Sequence, residues 1–162
     1  MNCKVELANL NDIESILKLY SERTIWFKEN NIKQWSRYLE NHPKSEFIEA
    51  IENNNYYIIK KNNEIVAGFE LSTNSKDWKD DITPAYYIYK VVTKVGHKNI
   101  GQIIFNKCKE IAKIDGKKYL RLDCLKSNKK LNNIYESYNF KLVRYGHNER
   151  YSFALRELKI DG

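Results

Sequence analysis

What the chain is short of narrows it first. Its 162 residues hold only three cysteines and three histidines. Cys3, Cys108 and Cys124 form no CxxC pair and keep no metal-ligand spacing with His42, His97 or His147, so no metal site is expected. Cys124 falls in an apolar run with no base near it in sequence, which argues against a thiol nucleophile. No segment approaches the ~20 apolar residues that span a bilayer, so no membrane partner is expected. The opening MNCKVELANLND lacks the long apolar stretch of a secretion signal. With an odd cysteine count, this reads as reduced thiols in a cytoplasm. Repeats and low-complexity linkers are missing too, and a single domain over residues 1–162 is expected. Neither a GK[ST] phosphate loop nor a GxGxxG fingerprint occurs.

What is present argues for a folded α/β protein. Hydrophobic content of 42%, with 13% aromatic, is too high for disorder. The net charge of +7 suggests an anionic partner, or serves only solubility. Lysines are spread along the chain and no recognition motif appears, which argues against nucleic acid. CKVEL alternates like a strand. NLNDIESILKLYSERTIWF has a cap-rich start and then Ile13, Ile16, Leu17 and Tyr20 at helical spacing. Helical pattern continues to a break near His42-Pro43, after which Ser45 is placed to cap SEFIEAIE. YYIIK and EIVAGFELS form a hairpin around KNNE. AYYIYKVVT, residues 85–93, has the strongest strand composition. A helix over 102–114 follows, ended at Gly116 in left-handed backbone. Then come the strand KYLRLDCL, a short helix capped by Ser127 or Asn128, and two closing strands. The order β–α–α–β–β–β–α–β–α–β–β predicts a mixed sheet with helices on both faces, with 85–125 as a parallel crossover.

Three stretches carry candidate chemistry. TKVGHKNIGQIIF joins strand to helix through Gly96 and Gly101, and a helix N-terminus there offers free N–H groups to a phosphate, though such turns are also common without a ligand. RLDCLKSNKKLNNIYESYNF places Asn128 at a turn and Tyr135 two helical turns on, either as cap and core or as a proton donor beside a cleft. Trp26 and Trp35, with Gln34, are core residues or pocket walls.

Taken together, the residues from Tyr86 to Val143 resemble the GNAT superfamily of acetyl-CoA-dependent N-acetyltransferases. The family's loop, [QR]-x-x-G-x-[GA], is matched by Gly96-His97-Lys98-Asn99-Ile100-Gly101, with Asn99 in the central glycine's place. Asparagine tolerates left-handed backbone best after glycine, and Asn99 is expected to adopt it. The family's Y-x-x-x-G-F is matched by Tyr135 through Phe140, with Asn139 again for glycine. The resemblance implies N-acetyl transfer from acetyl-CoA, without a metal, to a small-molecule or peptide amine. It implies donor contacts at Val91, Val92, Thr93, His97, Lys98, Asn99, Ile100, Gly101, Gln102, Asn128, Lys130 and Tyr135. Tyr135 is the implied acid. The strand at 85–93 lacks the family's glutamate base, which leaves Glu70, Asp77, Asp80, Asp81 or a water chain, with Asp123 read as a structural strand residue. Glu70 is the expected base, and Trp26, Trp35, Glu70 and Trp78 are expected around the acceptor. A homodimer is compatible with the sequence. The rival reading is a GNAT-fold protein that binds acyl-CoA, or another protein, without catalysis.

Overall fold

The structure, a computed structural model, describes residues 3–31, 44–78, 81–149 and 151–161. Trp35, Gln34, Asp80 and the expected break at His42-Pro43 lie outside the described residues. The strands are β1 (Cys3–Leu7), β2 (Tyr56–Lys61), β3 (Glu64–Ser72), β4 (Ala85–Thr93), β5 (Tyr119–Leu125), β6 (Lys141–His147) and β7 (Ser152–Lys159). The described helices are α1 (Ile13–Glu29), α2 (Lys44–Glu52), α3 (Ile100–Ile114) and α4 (Lys129–Ser137). The sheet is mixed and seven-stranded, in the order β1-β2-β3-β4-β5-β7-β6. β4 and β5 run parallel, as a strand–helix–strand crossover requires, from Ala85↔Tyr119 to Tyr87↔Arg121. Ser45 lies inside α2, and α3 starts at Ile100, two residues before its expected start. No helix among the described residues is long and apolar enough to cross a membrane.

The chain gathers into two compact units. The first comprises residues 1–71 and 89–101. In it α1 turns Ile16, Leu19 and Tyr20 inward, as the helical spacing dictates. Phe47 of α2 packs edge-on between Tyr20 and Tyr56, at centroid distances of 4.8 and 5.9 Å. All three rings are fully buried, and each such side chain contributes about 1.5–3 kcal/mol of transfer free energy. The hairpin β2–β3 turns at Asn62-Asn63, with φ of 53° and 65°, the double left-handed geometry that suits the twist of its strands.

The second unit comprises residues 72–88 and 102–162. Ile104, Phe105, Cys108 and Ala112 form the buried stripe of α3. Leu120, Leu122 and Cys124 alternate along β5 as its second buried set. β7 pairs antiparallel with both β5 and β6, which puts β6 outermost in the strand order.

Candidate functional site

In the first unit the candidate residues cluster at the end of β4. Lys90, at φ 51°, leaves extended backbone inside the strand. The Tyr56 hydroxyl donates to the Lys90 carbonyl at 3.1 Å. Tyr56 can lie there because Gly68 has no side chain; a Cβ at Gly68 would sit 2.5 Å from the phenol oxygen. The Lys90 ammonium pairs with Glu70 at 2.9 Å, with both side chains about nine-tenths buried. Glu70, the expected base, is therefore engaged with a cation.

Beyond the irregularity, Val92 is buried in the core while Val91 and Thr93 are half-buried. Thr93 is held by a residue that no motif in the sequence marks. Arg23 of α1 donates to the Thr93 carbonyl from Nε at 3.1 Å and from Nη2 at 2.8 Å. Nη2 also reaches the Thr93 hydroxyl at 2.9 Å. The guanidinium carbon lies 4.9 Å from the ring centroid of half-buried Trp26. Sequence carries little sign of this beyond the Arg23–Trp26 spacing of one helical turn.

The loop then turns twice through left-handed backbone, at Gly96 with φ 91° and at Asn99 with φ 65°. Asn99 takes the conformation its glycine-like position demands. Ile100, buried, roots the first turn of α3. His97 is half-buried and Lys98 is exposed, beside the unpaired N–H groups that open a helix. Gly101 ends this unit's share of the helix, and Gln102, exposed, begins that of the second.

In the second unit the candidates gather around α4. Asn128 caps it, its Oδ1 accepting from the Leu131 N–H at 3.1 Å. Asn132, also missed in the sequence, donates to the carbonyls of Leu125 at 3.0 Å and Asn128 at 2.9 Å. Its Oδ1 accepts from Arg156 at 3.0 Å and from the Cys124 thiol at 3.3 Å. That side chain ties the end of β5 to the start of α4. Tyr135 is buried against Phe105 and Phe140, both near edge-on, at 5.7 and 6.1 Å. Among the described residues its hydroxyl makes no hydrogen bond. Burial, with Cys124 and Asp123 adding to it, pushes the phenol well above its ordinary range, so it is protonated at neutral pH. Asn139, at φ 71°, reverses the chain after α4, and the Phe140 N–H returns to the Tyr135 carbonyl at 3.0 Å. Lys130 is exposed.

Trp78 is buried, with the guanidinium carbons of Arg121 and Arg144 at 4.3 and 4.9 Å from its ring centroid. Arg121, itself buried, pairs with Asp81 at 3.0 Å and Glu157 at 2.9 Å. Beside this network two carboxyls meet. Burial, with the charge and hydrogen bonding of Asp77 adding to it, pushes Asp123 up to about 7. The alternating apolar pattern of LRLDCL hides this, because the pairing depends on a carboxyl from a distant loop.

The chain is similar to known proteins in sequence and in fold. Residues 14–140 match the model of the acetyltransferase (GNAT) family. Among solved structures, a GNAT-family acetyltransferase from Listeria monocytogenes aligns at TM-score 0.80 and 21% identity, over 97% of this chain and 94% of that one. One from Streptococcus agalactiae aligns at TM-score 0.81 and 13% identity, over 99% and 96%. The PaiA N-acetyltransferase of Thermoplasma acidophilum, solved with coenzyme A, aligns at TM-score 0.75 and 17% identity, over 98% and 99%. No curated protein matches the sequence.

Proposed function

The chain belongs to the GNAT acetyltransferase family, and from that premise we propose that it moves an acetyl group from acetyl-CoA to a primary amine, with Tyr135 as general acid. A neutral amine nitrogen attacks the thioester carbonyl carbon, the carbon–sulfur bond breaks, the Tyr135 hydroxyl gives its proton to the departing thiolate, and the proton that the nitrogen sheds passes to the base or to water, from which the phenol regains its own. The observation that carries this reading is the setting of Tyr135. A phenol kept protonated by burial, among aromatic rings that fix its orientation, is suited to donate a proton at neutral pH.

The donor's diphosphate is assigned to the loop at 94–101. Two left-handed residues before a helix N-terminus suit a diphosphate, since they leave backbone N–H groups open. His97, Lys98 and Lys130 supply positive charge, and Gln102 and Asn128 supply polar contacts. Val91, Val92 and Thr93 are assigned to the donor through their backbone, and Trp26, Trp35, Glu70 and Trp78 to the acceptor, a small molecule or peptide. The whole chain is assigned as one catalytic domain, as the family match through both units supports. A cytoplasmic location fits this substrate.

Two carboxylates compete for the base. Glu70 would act while sharing its charge with Lys90. Asp123 is favoured by a proton affinity near the working pH, where general bases act best. Free thiol release from acetyl-CoA, measured across a panel of amines, tests the proposal. Amine-dependent release supports transfer. Binding of acetyl-CoA without release from any amine would leave the non-catalytic reading in its place.

A further inference from the structure

We propose that Arg23 is a positioning residue for the acyl donor: its guanidinium fixes the end of β4 from which the loop at 94–101 departs. This rests on the assignment of that loop to acetyl-CoA. The loop itself has few restraints. Gly96 and Asn99 are both left-handed, and between them the backbone is tied by the His97 N–H to the Lys94 carbonyl at 3.3 Å. Its far side is anchored by buried Ile100. Its near side is anchored at Thr93 and Lys94, where the Lys94 N–H meets the Val66 carbonyl at 2.8 Å and Arg23 makes three bonds to Thr93.

The chemistry of these three bonds is specific to arginine. Nε and Nη2 form one edge of a planar fork, and that edge takes both the carbonyl and the hydroxyl of one residue. Trp26 and Phe27, at 4.9 and 6.0 Å, flank the guanidinium, so its place depends on more than Thr93. Half-burial also raises the cost of leaving the group unbonded, and burial lowers its proton affinity in keeping with that cost. A lysine keeps the charge but cannot reproduce the fork. The Thr93 carbonyl already accepts two N–H groups, so Thr93 can serve the donor through its N–H or hydroxyl only as Arg23 orients it.

The test is calorimetric binding of acetyl-CoA to the full chain, with steady-state kinetics and melting temperatures alongside. Arg23→Gln is expected to raise the Kd and KM for acetyl-CoA about tenfold, the scale of a lost charged hydrogen-bond set. The kcat stays within about twofold and the KM for the amine is unchanged, because no transition-state contact is lost. Arg23→Lys behaves as Arg23→Gln does. Thr93→Val loses one bond of three and weakens binding about threefold, and adding it to Arg23→Gln changes nothing more. Wild-type Kd in Arg23→Gln would overturn the inference. So would a general loss in kcat, both KM values and melting temperature together, the mark of a merely structural role. Should Arg23→Gln not fold, Arg23→Lys and Thr93→Val decide by the same criteria. If the wild-type chain does not bind acetyl-CoA, the assignment of the loop fails in that arm alone and the inference falls with it.

Discussion

Residues 94–99 and residues 126–128 each join a strand to a helix, yet they are held by different means. The first junction is built from backbone. Gly96 and Asn99 set its path with left-handed φ, and its loop side chains are mostly half-buried or exposed. The second junction and the helix it opens are built from side chains. Asn128 caps, Asn132 bridges β5 to α4, and Tyr135 sits in a cluster with Phe105 and Phe140. The two junctions therefore absorb different substitutions. A backbone device survives any residue that can hold the conformation, which is why asparagine serves where a glycine is expected. A packed device depends on ring shape and volume, and offers no such freedom.

The largest expected effect comes from breaking the packed side. Phe105→Ala removes a ring that contacts Tyr135, Tyr138 and Phe140 at centroid distances of 5.7, 5.1 and 5.2 Å. Chemical denaturation should show about 3–5 kcal/mol of lost stability, as for other buried aromatic truncations. A loss below ~1 kcal/mol would mean that the cluster is not a packed unit.

Substitutions at Asn99 and Asn139 sharpen the contrast at intermediate scale. Replacing either by valine should cost about 1–2 kcal/mol or more, since a branched residue resists left-handed backbone. Replacing either by glycine should leave stability within ~0.5 kcal/mol, because released strain offsets added chain entropy. Only the Asn99→Val variant should also weaken acetyl-CoA binding directly. Equal weakening by Asn139→Val at matched stability would erase the distinction between the two junctions.

The smallest effect is one of pH. Folding binds a proton at Asp123 more tightly than the unfolded chain does, since its carboxyl moves from an ordinary value near 4 up to about 7. The stability this contributes is complete below about pH 4 and is lost as pH rises through about 7. Asp123→Asn should flatten that slope between about pH 4 and 7, the window those two values span, in melts recorded across the range. An unchanged slope would place the titration elsewhere. If Asp123 is also the base, the same variant removes the acidic limb of kcat/KM, while Glu70→Gln leaves that limb in place.

Much of the fold was legible because it follows from periodicity. AYYIYKVVT forms β4 at its expected bounds, and KNNE forms the turn of the expected hairpin. The asparagines were legible in part. Two were expected at glycine-like positions, and among the described residues six of the seven non-glycine residues with positive φ are asparagine, among them Asn31 and Asn54 just after helix ends. What was hidden depends on partners far apart in sequence. Arg23 meets Thr93 across seventy positions, and Asp77 meets Asp123 from a polar loop. Glu70 was singled out as the expected base, and its pairing with Lys90 accompanies a turn of the backbone at that lysine. Lys90 itself has no left-handed preference, so nothing in YYIYKVV announces the irregularity.

In the proposed reaction Tyr135 acts on the departing thiolate rather than only filling the core. Tyr135→Phe keeps the ring, its contacts and its volume, and removes the hydroxyl alone. Turnover and acetyl-CoA affinity measured on the same protein separate the two roles. A fall in kcat of about 10²-fold is expected, within the range of general acid catalysis, with the Kd for acetyl-CoA nearly unchanged. Undiminished kcat with an intact fold would contradict it.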